Sequence, residues 1–135
     1  MSCISATCSR LKDSLTNNLI NTAPSGKKTI RLALLTLNVF AAVAPILGYL
    51  SEPQKTSLGE VGFDVSTHVL RSLTFFFNEP PQCLINTAKY MEGYRLYLIA
   101  TNASHGTSTF PAVIQAGDAI VHCVSLYGAH KLDVL

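Results

Sequence analysis

The chain has 135 residues, 48% of them apolar and only 13% charged, with a net charge of +2. That length suits one domain. The apolar content excludes disorder, four cysteines and eight glycines exclude disulfide-dense and collagen-like chains, and the weak positive charge excludes a dedicated nucleic-acid binder.

Residues 1–10 read MSCISATCSR, with no charged segment ahead of an apolar one, so no secretory signal is expected. Ile4, Cys8, Leu11, Leu15 and Leu19 recur every three or four residues and predict a short amphipathic helix. Asn21, Pro24, Ser25 and Gly26 break it. Residues 1–24 are thus a helix and linker, and residues 25–135 a helical domain. Cys3, Cys8, Cys83 and Cys123 contain no CxxC spacing, so reduced thiols are expected, with Cys123 a small buried side chain.

Leu32 to Leu50 is a run of 19 residues without a charge. As a helix it rises about 28 Å, close to the hydrocarbon thickness of a bilayer. Lys27, Lys28 and Arg31 stand before it, so the positive-inside rule puts the N-terminus in the cytoplasm. Pro45 should kink it and Tyr49 should lie near the far interface. The alternative is a core helix buried on every face of a soluble bundle. Thr36 and Asn38 favour that alternative, since both need hydrogen-bond partners.

Ser57 and Glu60 have capping-box spacing. Leu58, Val61, Val65, Val69, Leu73 and Phe76 follow as the apolar face of a helix ending near Asn78. Pro80 and Pro81 open the next helix, with Leu84, Ala88, Met91, Tyr94 and Leu98 on one face. A polar loop is expected over residues 102–109, then a last helix from about Pro111 to Tyr127. The fold class is all-α: four to five helices in a small bundle. An internal repeat suggests two related helical hairpins. Leu19 to Ala23 recurs as Leu84 to Ala88, and the Asp64–His68 spacing recurs as Asp118–His122.

Glu60, Asp64, His68 and Arg71 form one polar stripe, and Gln115, Asp118, His122 and Ser125 another. A polar stripe opposite an apolar one is what a solvated helix shows. No metal, cofactor or catalytic residue is therefore assigned. Asp64, His68, Asp118 and His122 are the residues that would hold a divalent ion if the two helices converged. Tyr90, Tyr94 and Tyr97, with Arg95 beside them, are candidates for partner binding. Phe75 joins them, since Phe75, Phe76 and Phe77 cannot all face one core. Lys27, Lys28 and Arg31 suit anionic headgroups.

These readings predict a small, non-enzymatic, membrane-associated helical protein acting through a protein partner or self-association, with lipid around Leu32 to Leu50. No nucleic acid or small-molecule substrate is expected. A soluble cytoplasmic interaction module is the alternative, and a metal-dependent hydrolase using the Asp–His pairs the distant one.

Overall fold

The computed structural model describes residues 2–20, 26–54, 56–105 and 112–135, with backbone alone at 14–20 and 103–105. Among these lie five helices: α1 (Cys3–Ile20), α2 (Gly26–Ser51), α3 (Leu58–Phe76), α4 (Gln82–His105) and α5 (Ala112–Lys131). The expected break at 21–25 and the loop residues 106–111 lie outside the described residues.

The helix ends follow local chemistry. α2 runs unbroken through the buried Pro45 and stops just before Pro53, whose ring disfavours helical backbone in the preceding residue. Ser57 occupies the N-cap of α3, yet its side chain makes no capping hydrogen bond. The capping box does not form, because Glu60 turns inward to Arg95, 3.3 Å away. α3 closes at Phe76, and Phe77 leaves in extended backbone. The helical rule for three consecutive phenylalanines therefore fails: Phe75 and Phe77 are both buried and only Phe76 is partly exposed. α4 begins where the Pro81 carbonyl accepts from Leu84 and Ile85 N–H, and it continues through the expected loop to His105. α5 closes in a Schellman motif. Asp133 takes the left-handed conformation (φ 57°), Val134 N–H donates to the Ala129 carbonyl, and Val134 returns to the core beside Ala129.

α2 to α5 form a ring in which each helix touches two neighbours. Contacts between neighbours are antiparallel throughout. Arg31 meets Phe75 and Asn38 meets His68; Arg71 meets Glu92 and Glu60 meets Arg95; Asn38 also meets Ser125, and Leu34 lies against Gly128. The bundle is up-down-up-down, so α3 and α5 run parallel across its diagonal. α1 lies on α4. There Cys3 and Cys83 form a disulfide, Cα atoms 6.1 Å apart, which corrects the expectation of four thiols. The two cysteines are 80 residues apart, so only the fold brings them together. Ile4, Cys8 and Leu11 do not face a core: Ile4 is 78% exposed, and with Cys8 it lines an open apolar cleft against Leu70, Leu73 and Leu84.

The interior is unusual in content. An apolar cluster of Leu34, Phe75, Ile85, Ala129 and Val134 fills one end. Among the described residues, fourteen polar or charged side chains are buried against ten apolar ones, which inverts the ordinary globular preference. The apolar side chains lie outside. On α2, Leu32, Val39, Phe40, Leu47 and Leu50 are all more than half exposed. The core-helix alternative for Leu32 to Leu50 is thus met in one respect only: Asn38 is fully buried and bonded internally, but the segment is not sheathed by its own chain.

Candidate functional site

Asn38 is the link between three helices. Its amide nitrogen donates to the Leu34 carbonyl at 2.9 Å and to Ser125 Oγ at 2.8 Å. Its amide oxygen faces His68 Nδ1 at 3.1 Å. On the opposite side, His122 Nδ1 faces Glu92 Oε1 at 3.2 Å. Arg71 holds the other oxygen of Glu92 through Nε at 2.8 Å and through Nη2. Each imidazole is therefore anchored at Nδ1 by a side chain that further hydrogen bonds hold in place, Asn38 by those it donates and Glu92 by those it accepts.

The second nitrogens converge. His68 Nε2 lies 2.8 Å from Asp118 Oδ1 and 3.9 Å from Asp64 Oδ1; His122 Nε2 lies 3.2 and 3.6 Å from the same atoms. Arg95 Nε bridges the two carboxylates from behind, at 2.9 Å to Asp64 Oδ1 and 3.0 Å to Asp118 Oδ2. One ligand atom from each of Asp64, His68, Asp118 and His122 falls within 4.8 Å of the others, and all four side chains are buried.

The sequence places each Asp–His pair one helical turn apart, and the fold turns both pairs to the bundle axis. The solvated-stripe reading of α3 and α5 is corrected accordingly: Asp64, His68, Arg71, Gln115, Asp118, His122 and Ser125 are the buried face. The partner-binding candidates divide. Tyr90, Tyr94 and Tyr97 are exposed by 72, 54 and 63%, whereas Arg95 and Phe75 are buried and unable to meet a partner. Arg31 is not a free flanking cation, since its guanidinium donates to the Phe75 carbonyl and to Asn78. Burial desolvates that guanidinium. Cys123 lies on the exposed side of α5, next in sequence to a residue that points inward.

The sequence singles out neither Glu92 nor Arg95 for this role, since nothing in the spacing of α4 distinguishes them from a surface pair. Asn38 carried a signal, as the one amide inside an uncharged run. Compared with protein-family models, curated proteins and solved structures, the chain matches none.

Proposed function

We propose that this chain is a small, non-enzymatic integral membrane protein whose four-helix body sits in the bilayer and whose charged interior is its working part. One observation carries the reading. Across 29–51, 58–76, 82–100 and 112–127, no exposed residue among the described ones is charged. A water-facing surface of that extent carries charges of both signs. Lipid demands their absence and tolerates ionisable groups only toward the bundle interior.

The four helices have 26, 19, 24 and 20 residues, long enough to cross about 30 Å of hydrocarbon at 1.5 Å per residue. α2 and α5 have spanning windows of mean hydropathy 2.0 and 1.2. α3 carries Glu60, Asp64 and Arg71 and α4 carries Glu92 and Arg95, all turned inward, while the half-buried Lys89 of α4 lies over the exposed Tyr90 ring. Lys27, Lys28 and Arg31 at the start of α2 and Lys131 at the end of α5 share one end of the bundle, which the positive-inside rule assigns to the cytoplasm. Tyr90, Tyr94 and Tyr97 are the polar-tipped part of the outer surface, and there a protein partner or second copy would meet the bundle.

Alkaline carbonate extraction of expressing cells tests the reading. The protein is expected in the membrane pellet; release into the supernatant would establish the soluble alternative.

A further inference from the structure

We propose that Asp64, His68, Asp118 and His122 are the four ligands of a divalent first-row transition metal, with Zn²⁺ the best fit. The inference rests on reading the interior as the working part, and not on whether lipid surrounds it.

The tautomers come first. Asn38 Oδ1 and Glu92 Oε1 only accept hydrogen bonds, so His68 and His122 must both carry a proton on Nδ1. In the neutral rings Nε2 is then a lone pair. Both lone pairs face carboxylate oxygens, which are also acceptors, at 2.8 and 3.2 Å from Asp118 Oδ1. Acceptor against acceptor at these distances is repulsive, so positive charge belongs between them. One extra proton relieves only its own ring's contact; two would relieve both, but they would make two stacked imidazolium rings with centroids 4.5 Å apart and planes 6° from parallel. They would also aim both N–H groups at one oxygen, and His122 Nε2 makes no well-formed hydrogen bond there. One divalent ion replaces both protons and leaves the rings neutral.

The geometry agrees. The four nitrogen–oxygen separations run from 2.8 to 3.9 Å. A tetrahedron with bonds of about 2.0–2.1 Å has edges of roughly 3.4 Å, so the widest pair of ligand atoms, within 4.8 Å, closes by up to about 1.4 Å to complete it. Each ligand already has the outer partner that metal-bound groups require: Asn38 for His68, Glu92 for His122, and Arg95 for both aspartates.

The charge agrees as well. Three buried carboxylates, Asp64, Glu92 and Asp118, face the two buried guanidiniums of Arg71 and Arg95. One negative charge remains by that count, and a cation among the ligands offsets it. Two imidazoles with two carboxylates suit zinc and its neighbours; calcium and magnesium take oxygen alone. Four protein ligands in a closed interior leave no position for a substrate or a hydrolytic water, so the ion's role is to hold the bundle or to be carried by it.

The test uses the full chain in detergent, purified through a tag without histidines, stripped with chelator and titrated with Co²⁺ and then Zn²⁺. We expect one equivalent of Co²⁺ with the strong visible bands of a tetrahedral site, bleached by Zn²⁺. His68→Ala and His122→Ala should lose the bands, while His130→Ala, altered at an exposed position, should keep them. Wild-type protein binding less than about a tenth of an equivalent, or showing only the faint bands of six-coordinate Co²⁺, overturns the proposal whether or not the variants fold. Equal binding by folded His68→Ala overturns it too. Tetrahedral bands in a protein that carbonate releases would leave the site standing and remove the membrane; their absence in a protein that carbonate leaves in the pellet would do the reverse.

Discussion

His68 and His122 lie face to face, ring centroids 4.5 Å apart, although they belong to different helices and neither ring touches water. The contact exists because α3 and α5 run parallel on the bundle diagonal, each presenting an Asp–His pair at one helical turn. Their outer nitrogens are tied to Asn38 and Glu92, so the stack is positioned from both flanks.

Asn38 therefore ties α2 to both α3 and α5. Asn38→Ala leaves His68 Nδ1–H and Ser125 Oγ without their partner in a buried place. A stability loss of about 1–3 kcal/mol is expected, against about 1 kcal/mol for Ser125→Ala. Zn²⁺ affinity should fall roughly 10- to 100-fold through the lost outer partner. Chemical unfolding in mild detergent, with and without metal, reads both quantities. An Asn38→Ala protein matching wild type in both would remove the amide from this role.

Arg71 and Glu92 form an ion pair with no exposed surface on either side chain. Removing one partner strands a buried charge, so Arg71→Met should cost about 3–5 kcal/mol. The double variant Arg71→Met, Glu92→Met should recover much of that, because both charges leave together. Recovery stays incomplete, since Glu92 also anchors His122. A double-mutant cycle measures the coupling, and strictly additive losses would contradict the pairing.

The helices were legible in the sequence because periodicity and turn residues mark them. The site was half legible, and the reason is physical. A helix of period 3.6 has two faces, and spacing alone does not say which one is inside. On α3 the apolar stripe includes Val69, 47% exposed, while Arg71 and His68 on the other face are fully buried. The surrounding solvent decides the sign, and single-sequence spacing does not carry the solvent. Asn38 was readable as a residue needing partners, but Glu92 and Arg95 resembled an ordinary surface pair. The Ser57 cap failed for a related reason: Glu60 is drawn to Arg95, a long-range partner that no local motif registers.

Val39 distinguishes the two environments. It is 53% exposed on α2, so an arginine there has room without disturbing the interior. In a bilayer, Val39→Arg should raise the insertion free energy of α2 by about 2.5–3.5 kcal/mol and lower the membrane-integrated fraction. On a water-facing surface the same change stays within about 0.5 kcal/mol. Glycosylation-tagged insertion assays compare the two directly. Unchanged integration would count against lipid at this face.

At Gly128, α5 lies close against α2. A Cβ there would collide with Leu34 Cδ1 and come within 3.1 Å of its Cδ2, and Leu34 is itself buried in the apolar cluster. Gly128→Ala should destabilise by about 1–3 kcal/mol despite the better helix propensity of alanine. Gly62→Ala and Gly93→Ala have nothing within 4 Å and should stabilise by up to about 1 kcal/mol. Thermal unfolding of the three variants tests the contrast, and a stabilised Gly128→Ala would mean a looser α2–α5 contact than described.

Cys3 and Cys83 test the orientation of the bundle. They join α1 to the start of α4, at the end that also carries Lys27, Lys28 and Lys131, and the Arg10–Glu79 pair at 2.8 Å reinforces the same junction. The topology proposed above puts this end in the cytoplasm, where thiols are kept reduced, whereas the structure shows the pair oxidised. In cells quenched with acid, both cysteines are expected to alkylate as thiols, and the disulfide should form once the lysate is exposed to air. α1 is then held in vivo by noncovalent contacts alone, so reducing conditions should make it the first segment cut by protease while α2 to α5 stay intact. A pair already oxidised in quenched cells would place this end in an oxidising compartment and invert the topology.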